Sequence, residues 1–187
     1  MNIAPVFSIL GVLLTILSAT MLIPMLVDIS LGYQNWFGFA SAALISCFVG
    51  ISLWLTNRSK QELNLGLKEA FLLTNSAWVL SGIFGALPFL FSDLELSFTD
   101  ALFESISGIT TTGSTILTTI ELASPGIILW RALLQWLGGI GIIVMALAIL
   151  PILSVGGMQL FKTETYEASD NAIPRARQLA GGIFGVY

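Results

Sequence analysis

Residues 103–117 read FESISGITTTGSTIL, and the fold turns on what this stretch does. It packs seven Ser or Thr residues and two glycines into fifteen positions of a chain that is otherwise 56% hydrophobic and 10% charged, with mean hydropathy +0.92. A composition that apolar lies far outside the soluble range and marks an integral membrane protein. Four stretches, at about 5–27, 36–56, 70–92 and 126–150, reach the roughly 20 apolar residues that a helix needs to cross the hydrocarbon core. The polar run falls between the third and the fourth.

The interval 93–125 is too long for a turn and too patterned for a slack linker. Within it SFTDALFESISG reads as a short helix: Ser97 as N-cap, Asp100 three residues on, Phe98, Leu102, Ser105, Ile106 and Ile109 at helical spacing, and Gly108 as its end. About eleven residues cannot span a bilayer that needs about twenty, so the interval is expected to dip in from the outside and return. The following ITTTGSTIL is β-branched around one glycine and non-helical by composition. Unpaired backbone groups cost several kcal/mol each in lipid, so non-helical chain at that depth must be buried in protein or line a wet cavity.

A cation entering a membrane exchanges its water for other oxygens, and fixed backbone carbonyls serve that purpose. Thr110, Thr111, Thr112 and Gly113 are expected to present such a column, the threonines extended by their branching and the glycine free to take a conformation that strains other residues. The short helix would aim its negative C-terminal end at the same place. By themselves small and hydroxylated residues also serve ordinary helix packing in membranes. The too-short helix and the spans on either side favour span, pore helix, filter, span.

The charges orient the chain. Arg58, Lys60 and Lys68 lie between segments two and three, and Lys162, Arg175 and Arg177 follow segment four. Apart from Arg131, the other two loops carry only acids: Asp28 in one, Asp93, Glu95, Asp100, Glu104 and Glu121 in the other. The positive-inside rule puts both termini and the 57–69 loop in the cytoplasm, with Tyr33, Trp36, Trp54 and Trp130 as interfacial aromatics. MNIAPVF has no charge ahead of a long apolar run, so the first segment is expected to be retained rather than cleaved.

FESISGITTTGSTIL, followed by RALLQWLGGIGIIVMALAILPIL and GGMQLFKTE, resembles the first repeat of the membrane subunits of Trk/Ktr/HKT potassium transporters, nearest the TrkH branch, over nearly the whole chain. The resemblance implies an all-α membrane protein. It has an N-terminal transmembrane hairpin and cytoplasmic loop over 1–68, one span–pore helix–filter–span repeat of potassium-channel-like architecture over 69–160, and a cytoplasmic linker with the start of a second repeat over 161–187. It makes Gly113 the filter glycine and Thr110, Thr111 and Thr112 the residues whose carbonyls coordinate the transported potassium ion. Implied partners are membrane lipid, three further repeats, a second protomer and a TrkA-like cytosolic nucleotide-binding ring, with no nucleic acid; the implied place is the cell inner membrane. The chain holds one repeat where such transporters have four, which leaves a truncated, non-conducting fragment with a structural or assembly role as the alternative function.

Other residues are expected to be structural. Arg131 either snorkels or pairs with Glu104 or Asp100; Glu104 supports the filter from behind; Asn75, with Thr74 and Ser76, bonds a neighbouring helix; Gly138, Gly139 and Gly141 allow close packing. Cys47 is the only cysteine and sits in an apolar span, a small core residue. The chain has no histidine, so neither Ser–His nor Cys–His activation of a nucleophile is available, and no phosphate loop or metal motif appears: no enzyme is expected.

The orientation is testable. In a Cys47→Ser background, cysteines placed at Lys60 or Lys162 should react with impermeant thiol reagents only from the cytoplasmic side. Labelling from outside alone would reverse the topology.

Overall fold

The computed structural model describes residues 3–58, 66–118, 120 and 123–154, with side chains for all of these but 67 and 143–154. Lys60, Glu121, Lys162, Arg175 and Arg177 lie outside the described residues. Two compact units divide the chain, 1–138 and 139–187, and of the second only the helical continuation to Ser154 and its first side chains are described.

Among the described residues the helices are α1 (Ala4–Leu31), α2 (Trp36–Asn57), α3 (Leu67–Leu90), α4 (Phe98–Ile109) and α5 (Pro125–Ser154). Four of them contain stretches long and apolar enough to cross a membrane, Ala4–Leu31, Trp36–Asn57, Lys68–Leu90 and Pro125–Ile142. The twelve residues of α4 reach only about 18 Å at 1.5 Å per residue, short of a core of about 30 Å. The all-helical membrane architecture expected from the sequence is therefore the one observed.

Helix α1 runs one turn further than its apolar stretch and takes Asp28 into its last turn. Gly32 closes it at φ 76 with a Schellman pair, Tyr33 N–H to the Asp28 carbonyl (2.9 Å) and Gly32 N–H to that of Ile29 (3.2 Å). Asp28 is thereby a buried residue of a helix end and not a loop acid.

Between apolar helices in lipid there is little hydrophobic gain, so contact depends on close backbone approach and on hydrogen bonds across the interface. In the α1–α2 hairpin a Cβ on Gly11 would lie 2.6 Å from the Gly50 carbonyl oxygen, and Ser18 Oγ donates to the Ala43 carbonyl at 2.9 Å. The same device seats α4. On α3 a Cβ at Gly85 would meet Ser105 Oγ at 2.6 Å, on α4 one at Gly108 would meet Leu134 Cβ at 3.0 Å, and on α5 one at Gly138 would overlap the Ile109 carbonyl. Gly138 thus fulfils its expected packing role.

Two expected roles change. Trp130 is fully buried: its Nε1–H donates to the Gly85 carbonyl (3.0 Å) and its ring meets Phe39 edge-on with centroids 6.4 Å apart. A buried indole N–H must find a partner, and Trp130 finds it on α3 and not at the lipid interface. Asn75 donates to the Phe71 carbonyl of its own helix (2.8 Å), and no described residue of another helix pairs with it.

Substitution separates tight from adaptable glycines. Gly138→Ala forces a Cβ against backbone and should destabilise the assembled transporter containing this chain by about 1–3 kcal/mol or more; Gly82→Ala meets only the Ile106 side chain, at 3.0 Å, and should cost clearly less. Thermal unfolding in detergent compares them, and equal midpoints would refute the contact at Gly138.

Candidate functional site

Ser97 starts α4 as expected: its Oγ accepts from the Asp100 amide (3.2 Å) and donates to Asp100 Oδ2 (2.7 Å), a reciprocal variant of the capping box. The buried face of α4 is not the apolar one. Ala101, Glu104, Ser105 and Gly108, at i, i+3, i+4 and i+7, are buried, while Phe98, Phe103 and Ile106 are exposed. Gly108 does not end the helix either. It lies inside it, chosen for the approach of Leu134, and Thr110 is the C-cap.

Beyond the helix the chain folds back on itself. Thr110 N–H donates to the Ile106 carbonyl (2.9 Å), Thr111 to Gly108 (2.9 Å), and Thr112 and Gly113 both to Ser107 (3.0 and 3.2 Å). Four consecutive amides therefore wrap the last turn of α4, in the way that successive N–H groups of a nest converge on a negative guest. This corrects two expectations. The carbonyls of Ile106, Ser107 and Gly108 at the end of α4 are taken up by these amides, and the segment is not extended throughout, because Thr110 has φ −81, ψ 1 and Thr111 has φ 60. A β-branched residue in the left-handed region costs about 1–2 kcal/mol, held here by the amides on either side. Gly113, at φ 77, takes the conformation for which glycine was expected.

In a trans peptide the C=O points opposite to the N–H of the next residue. With the amides of Thr111, Thr112 and Gly113 turned toward α4, the carbonyls of Thr110, Thr111 and Thr112 point away from it, and no described residue donates to them. The side chains of Thr110 and Thr112 hold the fold instead: Thr110 Oγ1 donates to the Ile106 carbonyl (2.7 Å), so Thr112 Oγ1, 2.9 Å away, supplies the hydrogen between the two hydroxyls.

The next residues are fastened from behind. Glu104, fully buried, accepts from Thr115 Oγ1 (2.6 Å) and from the Ile116 amide (2.7 Å) through Oε1. Its Oε2 lies 3.2 Å from Arg131 Nε; the Nε–H is not aimed at it, so the contact is an ion pair without a hydrogen bond. Arg131 Nη2 reaches the Ser114 carbonyl (3.5 Å), which also accepts from Ser107 Oγ (2.6 Å). Of the two expected partners for Arg131 it is Glu104 that it meets, and Glu104 has the supporting role foreseen for it. Ser107 went unnoticed in the sequence, as did Gln135, whose Nε2 would be 3.6 Å from a Cβ at Gly113. Nothing in their spacing sets them apart from other small or polar residues of membrane helices.

The chain has recognisable relatives. A family model described as TrkH, cation transport protein, matches residues 37–181. The Trk system potassium uptake protein TrkH of Escherichia coli (strain K12) is 42% identical over 192 residues, covering 100% of this chain and 39% of the relative. The Trk system potassium uptake protein TrkI of Halomonas elongata is 42% identical over 186 residues, covering 98% and 37%. The crystal structure of the potassium transporter TrkH from Vibrio parahaemolyticus is similar with a TM-score of 0.82 and 36% identity, covering 100% of this chain and 37% of that one. The chain thus spans between 37% and 39% of the length of these relatives.

Breaking a buried ion pair from one side costs about 3–5 kcal/mol, and Glu104→Ala, which also strands Thr115 and Ile116, should cost that much. Removing both charges at conserved volume, Glu104→Gln with Arg131→Met, should cost less than Arg131→Met alone. Thermal unfolding of the extracted transporter reads both effects. A double variant that falls by the sum of the singles would show that the two side chains do not act as a pair.

Proposed function

The chain belongs to the TrkH family of cation transport proteins, a family of transporters and not of enzymes, and from that premise we propose that it furnishes one of four selectivity-filter strands in a potassium uptake path. Thr110, Thr111, Thr112 and Gly113 are the ion-coordinating residues of this proposal. The observation that supports it most is the division of labour in the backbone: amides turned inward onto α4, the carbonyls of Thr110, Thr111 and Thr112 turned outward with no described donor. Such carbonyls can replace the water of a cation with no reorganisation at the moment of entry.

One strand cannot surround an ion, and residues 110–116 are exposed in this chain. The three remaining repeats would close the ring, a second protomer and a cytosolic nucleotide-binding ring would complete the assembly, and residues 69–160 would form this chain's own repeat, in the inner membrane with both termini cytoplasmic. No ATP site is then required on this subunit. A monovalent cation gains about 2.3 kcal/mol per 100 mV, so a potential of roughly 150 mV supports about 3.5 kcal/mol, a gradient of several hundred-fold.

The test is selectivity at Gly113. At φ 77 a side chain strains the backbone whatever the space around it, so Gly113→Ser should relax discrimination between rubidium and sodium or depress uptake, while protein in the membrane stays near normal. Thr112→Ser, which keeps the hydroxyl and the carbonyl, should be milder. Gly138 does not serve as a contrasting packing site, because its substitution presses on Ile109 directly ahead of the strand; Gly82→Ser does. Uptake is measured in the assembled transporter, per amount of membrane protein. Unchanged affinity and selectivity in Gly113→Ser would reject the assignment of the filter.

A further inference from the structure

Among the described residues, Asp28 is the other fully buried carboxylate besides Glu104, and it belongs to the N-terminal hairpin. Its Oδ1 accepts from the Gly126 amide (2.8 Å) and its Oδ2 from Ser124 Oγ (3.0 Å), across 98 and 96 residues of chain. Ser124 Oγ in turn accepts from the Ile127 amide (3.3 Å). The carboxylate therefore sits on the first turn of α5, where free amides and the positive end of the helix dipole favour an anion. Residue 126 has to be glycine for this: a Cβ there would run into the carboxylate oxygens. Asp28 is itself immobilised, since its carbonyl is the acceptor of the Schellman turn at Gly32 and Tyr33.

Five residues further along α5, about 7.5 Å at 1.5 Å per residue, stands Arg131, which meets Glu104 and the Ser114 carbonyl. Between them Trp130 is held by Phe39 of the hairpin and by the Gly85 carbonyl of α3. The geometry points to Asp28 as a positioning residue for ion selectivity: from the hairpin it fixes the height and rotation of α5, and through Arg131 it fixes the back of the segment that follows Gly113. The hairpin is then a working part of the filter's mounting. This rests on the filter assigned above.

The test uses the assembled transporter containing this chain, with Asp28→Ala, Asp28→Asn, Gly126→Ala and the double variant Asp28→Ala/Gly126→Ala. Each single change should lower the thermal midpoint, Asp28→Ala by about 5 °C. The double should fall no further than the worse single, because removing the carboxylate makes room for the new Cβ. The ratio of rubidium to sodium uptake per folded protein should drop on the order of tenfold in Asp28→Ala, the size of effect that one lost hydrogen bond carries when it is spent on positioning. Asp28→Asn keeps an acceptor for Gly126 and should recover part of the ratio. Additive falls in midpoint would overturn the latch. Non-additive midpoints with an unchanged uptake ratio would make Asp28 a fold-holding residue only and overturn its positioning role. A wild-type assembly that takes up neither ion would instead defeat the transport function itself, and the positioning role with it.

Discussion

Backbone amides and carbonyls that leave a helix need new partners, and much of this structure follows from how residues 110–113 meet that demand. Their amides are satisfied by one helical turn, the carbonyls of Ile106, Ser107 and Gly108. Those same carbonyls are the ones a helix end leaves without intrahelical donors, so two sets of orphan groups cancel each other in a single turn. The carbonyls of Thr110, Thr111 and Thr112 remain, and no described residue donates to them.

Such a turn is not stable on its own. It takes Thr111 into the left-handed region and leaves a polar face on α4 that lipid would reject. Burial of Glu104 against Arg131, with Thr115 and Ile116 donating to its other oxygen, answers the second difficulty, and the amide wrap answers the first. Glycines on α3, α4 and α5 let these helices come near enough for both. A buried charge pair adds little to stability by comparison with well-packed apolar groups, but it is demanding about place, and so it fixes the position of the segment that follows Gly113.

Much of this was legible in the sequence, for identifiable reasons. Four spans follow from the lengths of apolar runs, and the short helix follows from Ser97, Asp100 and the mismatch between about eleven residues and a bilayer thickness. The positive φ of Gly113 was foreseeable because a lone glycine among β-branched residues has few other purposes. What escaped was set by partners distant in the chain. Trp130 looked interfacial because it stands near a segment end, yet a single carbonyl on α3 draws it inside. The helical spacing of Phe98, Leu102 and Ile106 marked α4 as a helix but not its buried face, because in a membrane protein apolar residues suit the outside as well. Asp28 was hidden by its position next to a turn, and its counterpart at Gly126 lies 98 residues away.

The Glu104–Arg131 contact also constrains biogenesis. Glu104 leaves the ribosome 27 residues ahead of Arg131, a delay of about one to five seconds at roughly 5–20 residues per second. For that time its carboxylate has no counter-charge, and the cost of burying an unpaired ion keeps α4 in water or at the insertion machinery. Helix α4 can settle only once α5 has arrived, and the same arrival brings Gly126 to Asp28. The turn over residues 110–113 is therefore a late product of assembly: the spans insert first, and the turn is closed behind them by charge.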